Sequence, residues 1–122
     1  MTNKDKDTLL HIIKRCNRVS EDIEKHGDTF EAFETNNTFR DSVSMNILQI
    51  GELSNNLSKE FRDSTQHEVP WRKIYDMRNH FAHGYDSMDD EMIWNTAIHD
   101  VPELRSFCEQ QVKMTDQNKN KV

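Results

Sequence analysis

Residues 4–25 read KDKDTLLHIIKRCNRVSEDIEK. Within them Leu9, Ile12, Ile13, Cys16, Val19 and Ile23 recur mostly at intervals of three and four, while Lys14, Arg18, Glu21 and Glu24 fall between. That is the period of an α-helix with one apolar stripe, so the spacing predicts a helix over 4–25. His26-Gly27-Asp28 reads as its stop, with Gly27 suited to a left-handed cap. The same period continues outward. A short helical turn is expected around Phe30 and Phe33. A second helix is expected over 38–63, on the stripe Val43, Ile47, Ile50, Leu53, Leu57 and Phe61. Gly51 lies inside it at a cost of about 1 kcal/mol relative to Ala, which points to close approach by a neighbouring helix. Residues 64–69 form a polar loop. Pro70 suits the first turn of a third helix, whose apolar positions are Trp71, Ile74, Met77 and Phe81 and whose end is His83-Gly84-Tyr85. A fourth helix is expected from near Ser87, where Ser87 and Asp90 resemble a capping box. It carries Met88, Met92, Trp94, Ile98, Val101, Leu104 and Cys108, and Pro102 is expected to kink it. The polar stretch 113–122 reads as a frayed, disordered tail to one helical domain over 1–112.

The result is an all-α chain, an up-and-down bundle of four to five helices. Three glycines and two prolines among 122 residues are too few to punctuate a β-sandwich or barrel. No apolar run approaches a membrane span, and the first residues carry no apolar leader, so a cytoplasmic location is expected. Adjacent apolar pairs such as Ile12-Ile13, Ile47-Leu48 and Ile93-Trp94 widen the stripes beyond one core face. A second buried face, as in a homodimer, would account for them. Cys16 and Cys108 sit on apolar stripes outside any metal or redox spacing and read as small buried hydrophobes.

With 16 basic and 22 acidic residues the net charge is −6, which argues against binding nucleic acid over a broad basic surface. A local exception runs from Val69 to Tyr85. Arg72, Lys73 and Arg78 there face a single acid, Asp76, and His80 and His83 lie beside them. The next seven residues hold four acids and no base.

Inside this stretch, Arg78-Asn79-His80-Phe81-Ala82-His83-Gly84-Tyr85 gathers a permanent cation, an amide, two imidazoles and a phenol. On a regular helix Asn79 and His83 would be neighbours, and Arg78 and His83 about 140° apart. Gly84 lets the chain turn, so that Arg78 could reach back and share one phosphate with His83. Such a pair suits phosphodiester cleavage without a metal. His titrates near neutrality and can carry a proton. Arg grips a phosphate and stabilises transition-state charge. With RNA the 2′-hydroxyl supplies the nucleophile, leaving a 2′,3′-cyclic phosphate and a 5′-hydroxyl. A second His, or the same residue from a dimer partner, would carry the other proton. His80 and His83 alone do not complete a metal ligand set. Arg72 and Lys73 read as surface charges that could also hold RNA phosphates.

Arg78-x4-His83-x-Tyr85 resembles the Rx4HxY signature of the HepT-like toxins, a branch of the HEPN superfamily. Ile50-Gly51-Glu52, Leu57-Ser58-Lys59-Glu60, Val69-Pro70-Trp71, Ile74, Met77-Arg78-Asn79 and Trp94 recur in that branch in this order, so the resemblance covers nearly the whole chain. It implies a HEPN bundle, usually homodimeric, with two such motifs facing each other across a cleft. It implies a metal-independent endoribonuclease without cofactors, acting on mRNA or tRNA. It also implies the toxin of a toxin–antitoxin pair, whose minimal nucleotidyltransferase antitoxin adds AMP to Tyr85. By position Arg78 and His83 would be catalytic and Asn79 supporting. His80, an extra imidazole without a counterpart in the family pattern, is grouped with Asn79. The acidic composition keeps a second reading open: a non-catalytic subunit that binds a nucleotide or holds a nucleotidyltransferase.

Overall fold

A computed structural model describes residues 1–81 and 89–119, with His80 and residues 117–119 described by backbone alone. All regular structure among them is helical: α1 Asn3–His26, α2 Phe30–Thr35, α3 Asn37–Asn55, α4 Lys59–Thr65, α5 Trp71–Asp76, α6 Asp90–Asn95 and α7 Val101–Lys119. The all-α expectation therefore holds. The long helix α1 packs against both α3 and α7, and α3 in turn packs against α5. The apolar stripes meet in between. Leu9, Ile12, Cys16 and Val19 of α1 are fully buried, as are Val43 of α3 and Cys108 of α7. Phe33, Phe39 and Trp94 close one end of this core as an aromatic cluster. Phe61, Trp71 and Phe107 close another, where the Trp71 indole N–H donates to Thr65 Oγ1 at 2.8 Å. No helix among the described residues is long and apolar enough to cross a membrane.

The helix expected over 38–63 is two helices. The chain leaves α3 at Asn55 and restarts at Lys59, with Ser58 extended between them (φ −60°, ψ 148°). The cause is a carboxylate at the far end of the sequence. Asp5, 1% exposed, accepts hydrogen bonds from the Ser58 backbone N–H and hydroxyl, both at 2.7 Å. Ser58 Oγ in turn caps α4 by accepting from Phe61 N–H. Leu57 and Phe61 stay buried on either side of the break, so the apolar period runs through it unchanged.

Three more local outcomes follow from backbone chemistry. Gly27 ends α1 at φ +113°, a conformation L side chains rarely adopt. The fourth helix starts at Asp90 rather than near Ser87. Asp89 is its cap, accepting from Met92 N–H, and Ser87 lies outside the described residues. The disturbance expected at Pro102 is a π-turn over Thr96–Asp100, just ahead of the proline. Pro102 has no N–H to offer Ile98 and its ring crowds that carbonyl, and the wider turn relieves both. Helical backbone continues beyond it. The stretch from Lys113, expected to fray, is helical through Lys119, and Asp116 pairs with Lys6 of α1.

Both cysteines are free and buried. Burial pushes the Cys16 thiol up to about 12 and raises Cys108 as well. Neither is a thiolate at neutral pH, which agrees with their reading as small hydrophobes.

Candidate functional site

The site is built on a helix of six residues. Trp71, 3% exposed, anchors the start of α5. Ile74 and Tyr75 are half-buried, and Arg72, Lys73 and Asp76 face outward. The backbone then tightens into a 3₁₀ turn, Met77–Phe81, where the Met77 N–H reaches back to the carbonyls of Lys73 and Tyr75. The regular helix assumed in spacing Arg78 from His83 therefore ends before Arg78. Phe81 is half-buried against the core and holds the other end of the turn.

Gly51 sets how close α5 comes. A Cβ there would lie 3.1 Å from the Ile74 carbonyl oxygen and 3.8 Å from that of Tyr75. This is the close approach that the helix-interior glycine foretold. With the two backbones in contact, side chains flanking the contact meet. Arg78 Nη1 lies 3.3 Å from Glu52 Oε1, and its guanidinium carbon lies 4.3 Å from the centre of the Tyr75 ring. The Arg78 side chain is 41% exposed and that of Glu52 50%. The cation is thus held against the protein and still open to solvent.

Arg72 and Lys73 belong to a different face. They line a groove of about 800 Å³ whose other residues include Asp89, Glu91, His99 and Asp100. Arg72 also pairs with Asp76 at 3.7 Å. Among the described residues the lining of that groove does not include Arg78 or Glu52. Asn79 is exposed, and His80 belongs to the 3₁₀ turn. His83 and Tyr85 lie outside the described residues. Elsewhere on the molecule, His26 is half-buried and stacks on Phe39, 4.9 Å between ring centres. Sequence reading missed Glu52 and Tyr75 as partners of Arg78. The one signal for Glu52 was its place beside Gly51.

The described part of the site is thus a 3₁₀ turn bearing a half-exposed, anchored arginine on an all-helical bundle. The comparison with known families is specific. Residues 9–111 match the family described as Ribonuclease HepT-like, and the chain belongs to it. It is 34% identical over 105 residues to "Putative RNase TTE0752" of Caldanaerobacter subterraneus subsp. tengcongensis, covering 86% of this chain and 88% of the relative. It is 31% identical over 80 residues to "Probable ribonuclease HepT" of Thermococcus cleftensis, covering 66% and 72% respectively. To "Putative RNase MJ1380" of Methanocaldococcus jannaschii it is 29% identical over 110 residues, covering 89% and 98%. No solved structure matches the chain.

Proposed function

We propose that the chain is a metal-independent endoribonuclease that cleaves mRNA or tRNA, acting as a cytoplasmic homodimer and as the toxin of a toxin–antitoxin pair. The observation that carries this reading is the Arg78-x4-His83-x-Tyr85 motif, set within a family match to ribonucleases and beginning at a half-exposed, anchored Arg78. His83 takes the proton of the 2′-hydroxyl as its oxygen attacks the adjacent phosphorus. The guanidinium of Arg78 neutralises the non-bridging oxygens as charge accumulates there. The 5′-oxygen leaves with a proton from a second imidazole, either His80 or the partner subunit's His83. The products are a 2′,3′-cyclic phosphate and a 5′-hydroxyl, and the atoms balance without water or metal. Asn79 supports the site. Arg72 and Lys73 are candidate contacts for flanking phosphates, although the acids lining their groove weaken that role. Tyr85 is the AMP acceptor for a minimal nucleotidyltransferase antitoxin. An added phosphate beside the cleft would repel RNA.

The test is cleavage of RNA by purified protein in EDTA, wild type beside His83→Ala, with product 3′ ends identified. Cyclic phosphate ends from the wild type alone support the mechanism, and equal cleavage by His83→Ala overturns it. Mass spectrometry shows whether the protein carries AMP. If it does, the assay is run on Tyr85→Phe, which should cleave and resist modification. The net charge of −6 favours one other reading, a non-catalytic subunit that binds a nucleotide or the nucleotidyltransferase. Unmodified wild type that binds nucleotide and leaves RNA intact would establish it.

A further inference from the structure

We propose that Glu52 and Tyr75 are positioning residues that together aim the Arg78 guanidinium, a proposal that rests on the ribonuclease reading above. A free arginine side chain has four rotatable bonds and sweeps a wide volume. Here two of its surfaces are occupied. Glu52 Oε1 meets Nη1, and the Tyr75 ring lies under the guanidinium plane. Glu52 takes Nη1 alone, and among the described residues no hydrogen-bonding partner meets the edge formed by Nε and Nη2. That edge presents two parallel N–H groups, the fork that takes two phosphate oxygens at once. Glu52 can therefore stay in place while a phosphate binds.

The geometry distinguishes a holder from a competitor. A carboxylate that blocked phosphate would take the arginine through a short bidentate contact, near 2.8 Å on each arm. Glu52 makes one contact at 3.3 Å, and both side chains are about half exposed, so solvent screens the pair. The holder is also built into the backbone. Gly51, next to Glu52, leaves no room for a Cβ beside the Ile74 carbonyl, so the two positioning residues adjoin a point of close approach between α3 and α5. Arg78 is thus referred to two helices at once.

The experiment pairs RNA-cleavage kinetics with NMR relaxation of the Arg78 Nε–Hε group, on wild type, Glu52→Ala, Glu52→Gln, Tyr75→Leu and Tyr75→Phe. Glu52→Ala and Tyr75→Leu should each lower kcat about tenfold with KM changed less than about twofold, since misaim costs the transition state most. Glu52→Gln keeps an acceptor oxygen and Tyr75→Phe keeps the ring. Each should retain most of the rate its partner variant loses. In an Arg78→Ala background, Glu52→Ala should add nothing. The Nε–Hε group should be ordered in wild type and loosened in Glu52→Ala. Faster cleavage by Glu52→Ala would make Glu52 a competitor and overturn the proposal. So would unchanged Arg78 order. If unmodified wild type leaves RNA intact, the ribonuclease reading falls, and the relaxation data alone decide the holder: loosening in Glu52→Ala supports it and equal mobility overturns it.

Discussion

Asp5 and Glu52 are two acids that do a similar thing in opposite surroundings. Each lies on one helix and grips a group at the end of another, 53 residues away for Asp5 and 26 for Glu52. Asp5 is sealed from solvent and accepts from Ser58 N–H, Ser58 Oγ and Thr2 N–H. Glu52 is half exposed and holds one arginine nitrogen at 3.3 Å. A buried carboxylate with every donor in place fixes the path of the chain, because removing it strands donors in the interior. An exposed, single-contact carboxylate contributes little to stability, because water competes for both partners. Stability and activity should therefore separate between these two regions.

The largest separation is expected at Arg78. Arg78→Ala should lower RNA cleavage by about 10²–10³-fold, the loss typical of one transition-state donor. Its unfolding midpoint in urea should stay within the range of about 0.5 kcal/mol usual for surface changes. A variant that loses stability and activity together would show that the arginine is part of the scaffold.

Asp5→Ala should do the reverse. The Ser58 N–H and hydroxyl lose their acceptor, and about 3 kcal/mol of stability should go with it. Cleavage by the folded fraction should be unchanged. Urea titration with circular dichroism checks the first, and kcat well below the melting temperature checks the second. A fall in kcat would mean that the α3–α4 break is transmitted to α5.

The contrast also has a pH signature. Burial works to raise the Asp5 carboxyl, but the hydrogen bonds from Ser58 and Thr2 outweigh it and leave it lowered from the ordinary 3.8. A carboxyl lowered by folding adds stability that is fully present above its unfolded value. That contribution disappears as pH falls through the folded value. Stability should therefore fall with acid below 3.8 in the wild type and fall less steeply in Asp5→Asn. Parallel curves for the two proteins would remove Asp5 from the account of acid unfolding.

Much of this frame was legible in the chain. The α1 stripe, the Gly27 stop and the close approach at Gly51 follow from periodicity and glycine chemistry, which act over a few residues. What was not legible is polar and long-range. The Asp5–Ser58 contact breaks a helix without disturbing the spacing of Leu57 and Phe61, so the apolar period carries no trace of it. Glu52 lies off the stripe that buries α3, and only the packing of α5 brings Arg78 to it. The candidate site was read as a motif, Arg78 to Tyr85, of which the described residues reach only Phe81. The device that aims the arginine required the fold.

Gly51 joins the two regimes, since it sits in the core-facing backbone and neighbours Glu52. Gly51→Ala adds a methyl 3.1 Å from the Ile74 carbonyl oxygen, tighter than an ordinary contact, so α5 must yield by a few tenths of an ångström. Helix propensity gains about 1 kcal/mol from the substitution. Crowding costs about 1–3 kcal/mol, so the net loss of stability should be small. The displaced element, however, carries Tyr75 and leads directly into Arg78. Cleavage should fall several-fold, a disproportion expected when a small shift moves a group that must meet a transition state. Thermal melting and kcat measured on one preparation test this. A Gly51→Ala protein that melts much earlier yet cleaves at the wild-type rate would show that the spacing of α3 and α5 serves packing alone. Arg78 would then be aimed from its own turn.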